Sequence, residues 1–162
     1  MYPYVQTQKP HRGQSLTELA ISTLFFFIIL FGALDLGRAY FILVALEDSA
    51  GEGALYLAIE PHCPTDTIDL NNDGIPDPEC ADPNNAEDRA EKAASGYFDW
   101  SSATITVEYP TVDNVVANAG VGDTVRVKIE YPFTLFTPII SQIVGSNTLS
   151  IPAEATQTIM ME

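Results

Sequence analysis

The sequence predicts an α+β fold: one long N-terminal helix, apolar enough in its first half to cross a membrane, packed on a small antiparallel β-sheet. Three observations predict it. No proline interrupts residues 14–60, and the first part of that stretch is an almost unbroken apolar run. Segments that alternate apolar and polar residues, rich in β-branched types, follow only after residue 100. A chain of 162 residues has room for one small domain and one long helix, and not for two full-sized domains.

The helix comes first. Leu19–Leu34, LAISTLFFFIILFGAL, carries no charge over 16 residues, slightly short of the roughly 20 that span a bilayer. Ser22 and Thr23 do not spoil it, because their hydroxyls can bond back to the helix. After Asp35 and Arg38, spaced so that the two charges meet on one face, the pattern resumes as AYFILVAL. A helix from about Ser15 to Ile59 would extend on the order of 65 Å. Beyond the run, Leu36, Tyr40, Leu43, Ala50, Ala54 and Leu57 recur at helical spacing and predict one apolar stripe over the domain's own core. The small residues Ala50, Gly51, Gly53 and Ala54 would let a sheet or helix approach closely.

Charge narrows the partners. The formal net charge is −15, with 22 acids against 7 bases. Lys9, Arg12 and Arg38 lie at or before residue 38, together with only Glu18 and Asp35 among the acids, so the remainder is strongly acidic. Phosphate binding needs a basic footprint, so nucleic acid is excluded as a partner class. A basic leader before the run and an acidic domain after it place the N-terminus in the cytoplasm and the domain outside.

A cleaved signal peptide, a plain signal anchor and a prepilin all contain such a run. Around Phe31-Gly32-Ala33 the small residues of a signal-peptidase site fit poorly, and the helical pattern runs straight on. Neither of the first two readings accounts for Glu18 at the mouth of the run. The order of basic leader, Gly13, Gln14, Glu18 and apolar helix resembles the type IV prepilin family. The resemblance implies cleavage by a prepilin peptidase between Gly13 and Gln14, which makes Glu18 the fifth residue of the mature chain. It also implies that Glu18 meets the new α-amino group of a neighbouring subunit and so sets the assembly register. A carboxylate in hydrocarbon is costly alone and less so beside an opposite charge.

The words RGQSLTELA, GALDLGRAYF and EDSAGEGALYLA, then VRVKIEYPFTLFTPII and TLSIPAEATQTI, resemble TadE-like proteins, minor pilins or pseudopilins of the tight-adherence (Flp) pilus system. The likeness covers about residues 12–60 and 121–160 and leaves about 61–100 as an insertion or a variable region. It implies a pilin-type helix that contacts other pilin subunits, the membrane and the inner-membrane assembly platform. It implies a single-pass membrane protein before assembly and a cell-surface or pilus location afterwards. A secretion-system pseudopilin and an anchored extracellular adhesion module that never polymerises are the alternatives.

Four regions result: a leader at 1–13, a helix at 14–60 with its membrane segment at about 19–34, a loop and helix at 61–100, and a β domain at 101–162. In the last, Ala103–Tyr109 and Thr124–Tyr131 read as half-buried strands, and Thr148–Ile159 as a third, placed at an edge by Pro152. Pro138–Val144 reads as a short helix that opens on proline. Asn84–Tyr97 holds good helix formers, with a start near Asp82-Pro83.

The loop Asp69–Asp77, DLNNDGIPD, carries oxygen donors at Asp69, Asn71, Asp73 and Asp77, with Gly74 at the sharp turn and Ile75 offering its carbonyl. That spacing resembles the calcium loops of EF-hands, dockerins and thrombospondin-type repeats, in which alternate positions converge on one hard cation. The twelfth position, a bidentate Glu in EF-hands, is Cys80 here, so Glu79, Asp82 or Glu87 would have to complete the shell. An ordinary Asn-Asp-Gly turn is the alternative. Cys63 and Cys80 bracket the loop, and in an exported chain two cysteines read as one disulfide rather than a pair of free thiols. Closing about 17 residues stabilises by roughly 3 kcal/mol in the chain-entropy model. The sequence has no Gly-x-Ser-x-Gly elbow, no phosphate loop and no histidine paired with a nucleophile, so no enzyme and no catalytic residue is expected.

Overall fold

The structure is a computed structural model that describes residues 12–71 and 73–161. Most of the expected leader, residues 1–11, therefore lies outside the described residues. The elements run α1 (Arg12–Ile59), α2 (Ala86–Ala93), β1 (Thr104–Glu108), β2 (Thr124–Thr134), α3 (Pro138–Val144) and β3 (Thr148–Thr158), with short 3-10 turns between several of them.

Helix α1 is continuous over 48 residues, about 72 Å at 1.5 Å per residue. It starts three residues before the predicted Ser15 and takes in both Gly13 and Gln14. Nothing in this stretch breaks it, since proline is absent and the backbone donors find partners one turn back.

The sheet is antiparallel in the order β1-β2-β3. Val125, Val127 and Ile129 of β2 are fully buried, while the residues between them are partly exposed. Strand β2 runs three residues past the predicted Tyr131, through Pro132. Proline is tolerated there because β1 pairs only with Arg126–Glu130, so Pro132 has a neighbour on the β3 side alone. Pro152 lies in β3, an edge strand as expected.

The C-terminal half of α1 lies across one face of this sheet. Ile42, Leu46, Ala50, Ala54 and Leu57 meet Val125, Val127, Ile129, Phe133, Ala153 and Ile159 in one core. This corrects the predicted stripe. Ala50, Ala54 and Leu57 belong to it, but Leu36 and Tyr40 are 72% and 67% exposed. The buried face passes instead through Asp35, Ile42, Leu46 and Ser49. Periodicity counted the apolar residues on both sides of the helix and could not tell which side the sheet would cover.

The small residues act at one point as expected. A Cβ on Gly53 would lie 3.2 Å from the Ala86 carbonyl oxygen and 3.4 Å from the Ala90 Cβ, so α2 packs on glycine backbone. Gly51 faces open space. Helix α2 is shorter than the predicted segment. Its N-cap is Asn85, whose side-chain oxygen accepts from Asp88 N at 2.8 Å. Asn85 also donates to Cys80 O and Asp82 Oδ1, which holds Asp82-Pro83 in the turn before the helix.

Candidate functional site

Three places carry chemistry. The first is the N-terminal half of α1. From Gln14 to Leu34 the side chains are exposed, except for half-buried Ile28 and Gly32. Over the most apolar 18-residue window the mean hydropathy is 2.3 and only 6% is buried, so this helix is long and apolar enough to cross a membrane. A core helix of equal hydropathy would be covered, and this one is not. Gln14 and Glu18 sit one turn apart on the same face, with Gln14 Nε2 donating to Glu18 Oε1 at 3.2 Å. Thr17 Oγ1 donates to the Gln14 carbonyl at 2.8 Å.

The second place is the acidic loop. Cys63 and Cys80 are joined by a disulfide, as expected, with Cα atoms 5.0 Å apart. Within the loop the carboxylates turn inward onto backbone amides. Asp69 accepts from Asp73 N at 3.2 Å and Gly74 N at 2.8 Å. Asn71 Oδ1 accepts from Asp73 N, Asp73 Oδ1 from Ile75 N, and Asp77 Oδ2 from Leu70 N. Gly74 has φ +84°, a conformation that favours glycine. Asp77 N closes the loop by donating to Ile68 O at 2.8 Å. Among the described residues, no three His, Cys, Asp or Glu side chains converge as a ready-made metal cluster. Asp82 and Glu87 line a separate polar hollow with Asp66, Asn85, Asp88 and Glu91, and Glu79 lines another. Burial, with Glu91, Asp66 and Asp82 nearby, pushes the Glu87 carboxyl above the ordinary glutamate range.

The third place was missed by the sequence reading. Asp35, at the end of the apolar run, is only 3% exposed. Its two carboxylate oxygens accept from Phe136 N at 3.1 Å and Thr137 N at 2.9 Å, the amides that lead into α3. Arg38 pairs with Asp35 at 3.6 Å, and its guanidinium stacks 4.1 Å from the Phe136 ring centre and 5.1 Å from that of Phe133. The pair was expected to meet on the helix face; its larger role is to clamp α1 to the β2–α3 turn. A signal was present. GALDLGRAYF and YPFTLFTPII both carry the TadE-like resemblance, and they are the two halves of this clamp.

Residues 13–55 match a family described as TadE-like protein. The match covers most of α1 and none of the domain that follows it. The matched segment holds the Gly13-Gln14 bond, Glu18, the apolar run, Asp35, Arg38 and the first part of the buried face. A membrane-anchored surface protein fits both this match and the uncovered half of α1. The search of curated proteins returned no match, and neither did the search of solved structures.

Proposed function

We propose that this TadE-like chain is a minor pilin or pseudopilin that acts in the assembly or priming of a Tad-type filament. The observation that carries the reading is the division of α1. Its second half is buried under the chain's own sheet, while its first half is apolar on all sides and touches almost nothing else in the subunit. Such a helix needs an outside partner, lipid before assembly and the helices of other subunits afterwards. Packing between identical helices in a fibre is head-to-tail and non-closing. Prepilin peptidase would release Gln14 as the new N-terminus, and Glu18 would neutralise the α-amino group of the adjoining subunit.

The Asp69–Asp77 loop is proposed as a structural calcium site. The donors are all hard oxygens: the carboxylates of Asp69, Asp73 and Asp77, the amide oxygen of Asn71 and the Ile75 carbonyl. This set suits calcium. The amide bonds that shape the loop use only part of each carboxylate, which has about four acceptor positions. The disulfide holds the ends of the loop and lowers the entropy lost on binding.

The deciding experiment is to express the chain in membranes with and without a prepilin peptidase and to measure its intact mass. A new terminus at Gln14 is expected. A chain left intact beginning at Met1 overturns the pilin reading in favour of a plain anchor, and a cut near Ala33 would make the run a signal peptide. The calcium reading is tested apart, by thermal unfolding of the chain with calcium and with chelator. Calcium at 100 times its Kd should stabilise by about 2.7 kcal/mol, and no shift up to millimolar calcium rejects the site.

A further inference from the structure

We propose that α3 and the turns on either side of it form a second membrane contact, a foot that lies in the boundary between headgroups and acyl chains where α1 leaves the bilayer. The proposal rests on the reading of residues 19–34 as the membrane span.

The first argument is depth. A Cβ on Gly32 would lie 3.4 Å from Ile140 Cδ1, so α3 sits beside the last turn of the apolar run rather than beyond it. The Asp35 carboxylate, bonded to the Phe136 and Thr137 amides, locks that height. Residue 32 is two residues inside the end of the run, about 3 Å along the helix axis. Whatever depth this turn of α1 takes, α3 must share it.

The second argument is composition. Between Glu130 and Glu154 the chain has no Asp, Glu, Lys or Arg, in a protein with a net charge of −15. This segment leaves Phe136 and Ile143 76% and 80% exposed, with Val144 and Leu149 exposed beside them. Phe31 and Leu34 of α1, also exposed, line a groove with Phe136, Thr137 and Pro138. In water these apolar side chains would lie open at the foot of an acidic domain. At a bilayer surface they are buried without any charge being desolvated.

The third argument is the border. Arg38 and Tyr40 follow the run by one to two turns, and the Arg38 guanidinium sits over the Phe136 ring, 4.1 Å from its centre. An aromatic ring and a cation with an apolar stem suit the headgroup level. The foot also accounts for Asp35. An acid at the edge of hydrocarbon is costly, and the α3 turn supplies the two amide donors that satisfy it. Two contacts at one level fix the domain's height and tilt, which a single helix leaves free.

The test uses the full chain, one copy per nanodisc of phosphatidylethanolamine and phosphatidylglycerol, with the native disulfide formed. Spin labels are placed singly at Ile143→Cys, at Leu34→Cys as the lipid reference and at Ile75→Cys as the water reference. All three side chains are exposed, so the fold should tolerate the labels. The ratio of collision rates with oxygen and with a polar nickel chelate should be roughly tenfold higher at residue 143 than at residue 75, since polar solutes are excluded from hydrocarbon. A residue 143 value equal to that of residue 75, with residue 34 in lipid, overturns the foot and leaves the span intact. A residue 34 value equal to that of residue 75 overturns the span, and the foot with it. Protection of residue 143 that appears only with two chains per disc assigns the patch to a second copy and overturns the lipid contact.

Discussion

Residues 14–34 and residues 35–58 of α1 share one uninterrupted backbone and differ in what they touch. Beyond Glu18 the first stretch is apolar all round, and it meets the domain only in its last turn, beside α3. The second is apolar on one face and is covered by the sheet along that face. Helical geometry is the same in both, so it explains neither fate. The distribution of side chains around the axis does: a full apolar circumference needs a surrounding apolar medium, and a stripe needs a single packed surface. Asp35 marks the change from one regime to the other, because its burial requires amide donors that lipid does not have.

The contrast can be broken hardest at the exposed end. Glu18→Ala should abolish filament assembly, since loss of one partner from a desolvated ion pair costs about 3–5 kcal/mol per contact. The unfolding temperature of the domain should not change, because Glu18 touches no part of it. Filaments counted by microscopy, beside calorimetry of the same variant, check both halves of the claim. Normal filaments would reject Glu18 as the register mark.

A pair of leucines sharpens the difference within the covered half. Leu46→Ala removes a fully buried side chain and should destabilise by about 2–5 kcal/mol. Leu36→Ala, ten residues earlier on the exposed side, should change stability by less than about 0.5 kcal/mol. Chemical unfolding of both in detergent decides it, and equal losses would mean that the buried face has been drawn on the wrong side.

The boundary itself is next. Asp35→Ala should cost about 3 kcal/mol, because hydrogen bonds to an ionised acceptor contribute roughly 1.5–3 kcal/mol each and the two are coupled. Hydrogen exchange should then rise first at the Phe136 and Thr137 amides. Unchanged protection there would mean that the clamp does not hold α3.

The smallest loss expected at a buried residue lies at the far end of α1. The hydroxyl of buried Tyr109 donates to the Pro61 carbonyl at 2.6 Å, which ties the chain leaving α1 to the sheet. Tyr109→Phe should cost about 1–2 kcal/mol. Burial pushes this phenol above the ordinary tyrosine range. A raised folded-state value gives stability that is complete below the unfolded tyrosine's pKa and is lost as pH climbs from there toward the folded one. The alkaline loss of stability should therefore be shallower in the phenylalanine variant, and parallel curves for the two proteins would contradict this.

Much of the architecture was legible because it is written in short-range patterns. The proline-free span and its apolar composition gave α1. Alternation gave β1 and β2, the third strand was placed at an edge by Pro152, and Pro138 gave α3 with the bounds observed. Errors arose where a partner distant in sequence makes the choice. The end of β2 and the start of α2 depended on β3 and on Asn85, whose three hydrogen bonds reach Cys80, Asp82 and Asp88.

By itself, then, the sequence determined that this chain has a membrane-competent helix with Gly13, Gln14 and Glu18 at its mouth, a small sheet behind it, and an oxygen-rich loop between two cysteines. These properties depend on residue type and local spacing. Only the tertiary structure decided which face of α1 the sheet covers, and that Asp35 and Arg38 close on a turn a hundred residues away. It also decided that α3 stands beside the last turn of the apolar run. Each of those outcomes is a contact between elements remote in the chain, and periodicity along a single segment holds no information about the segment it will meet.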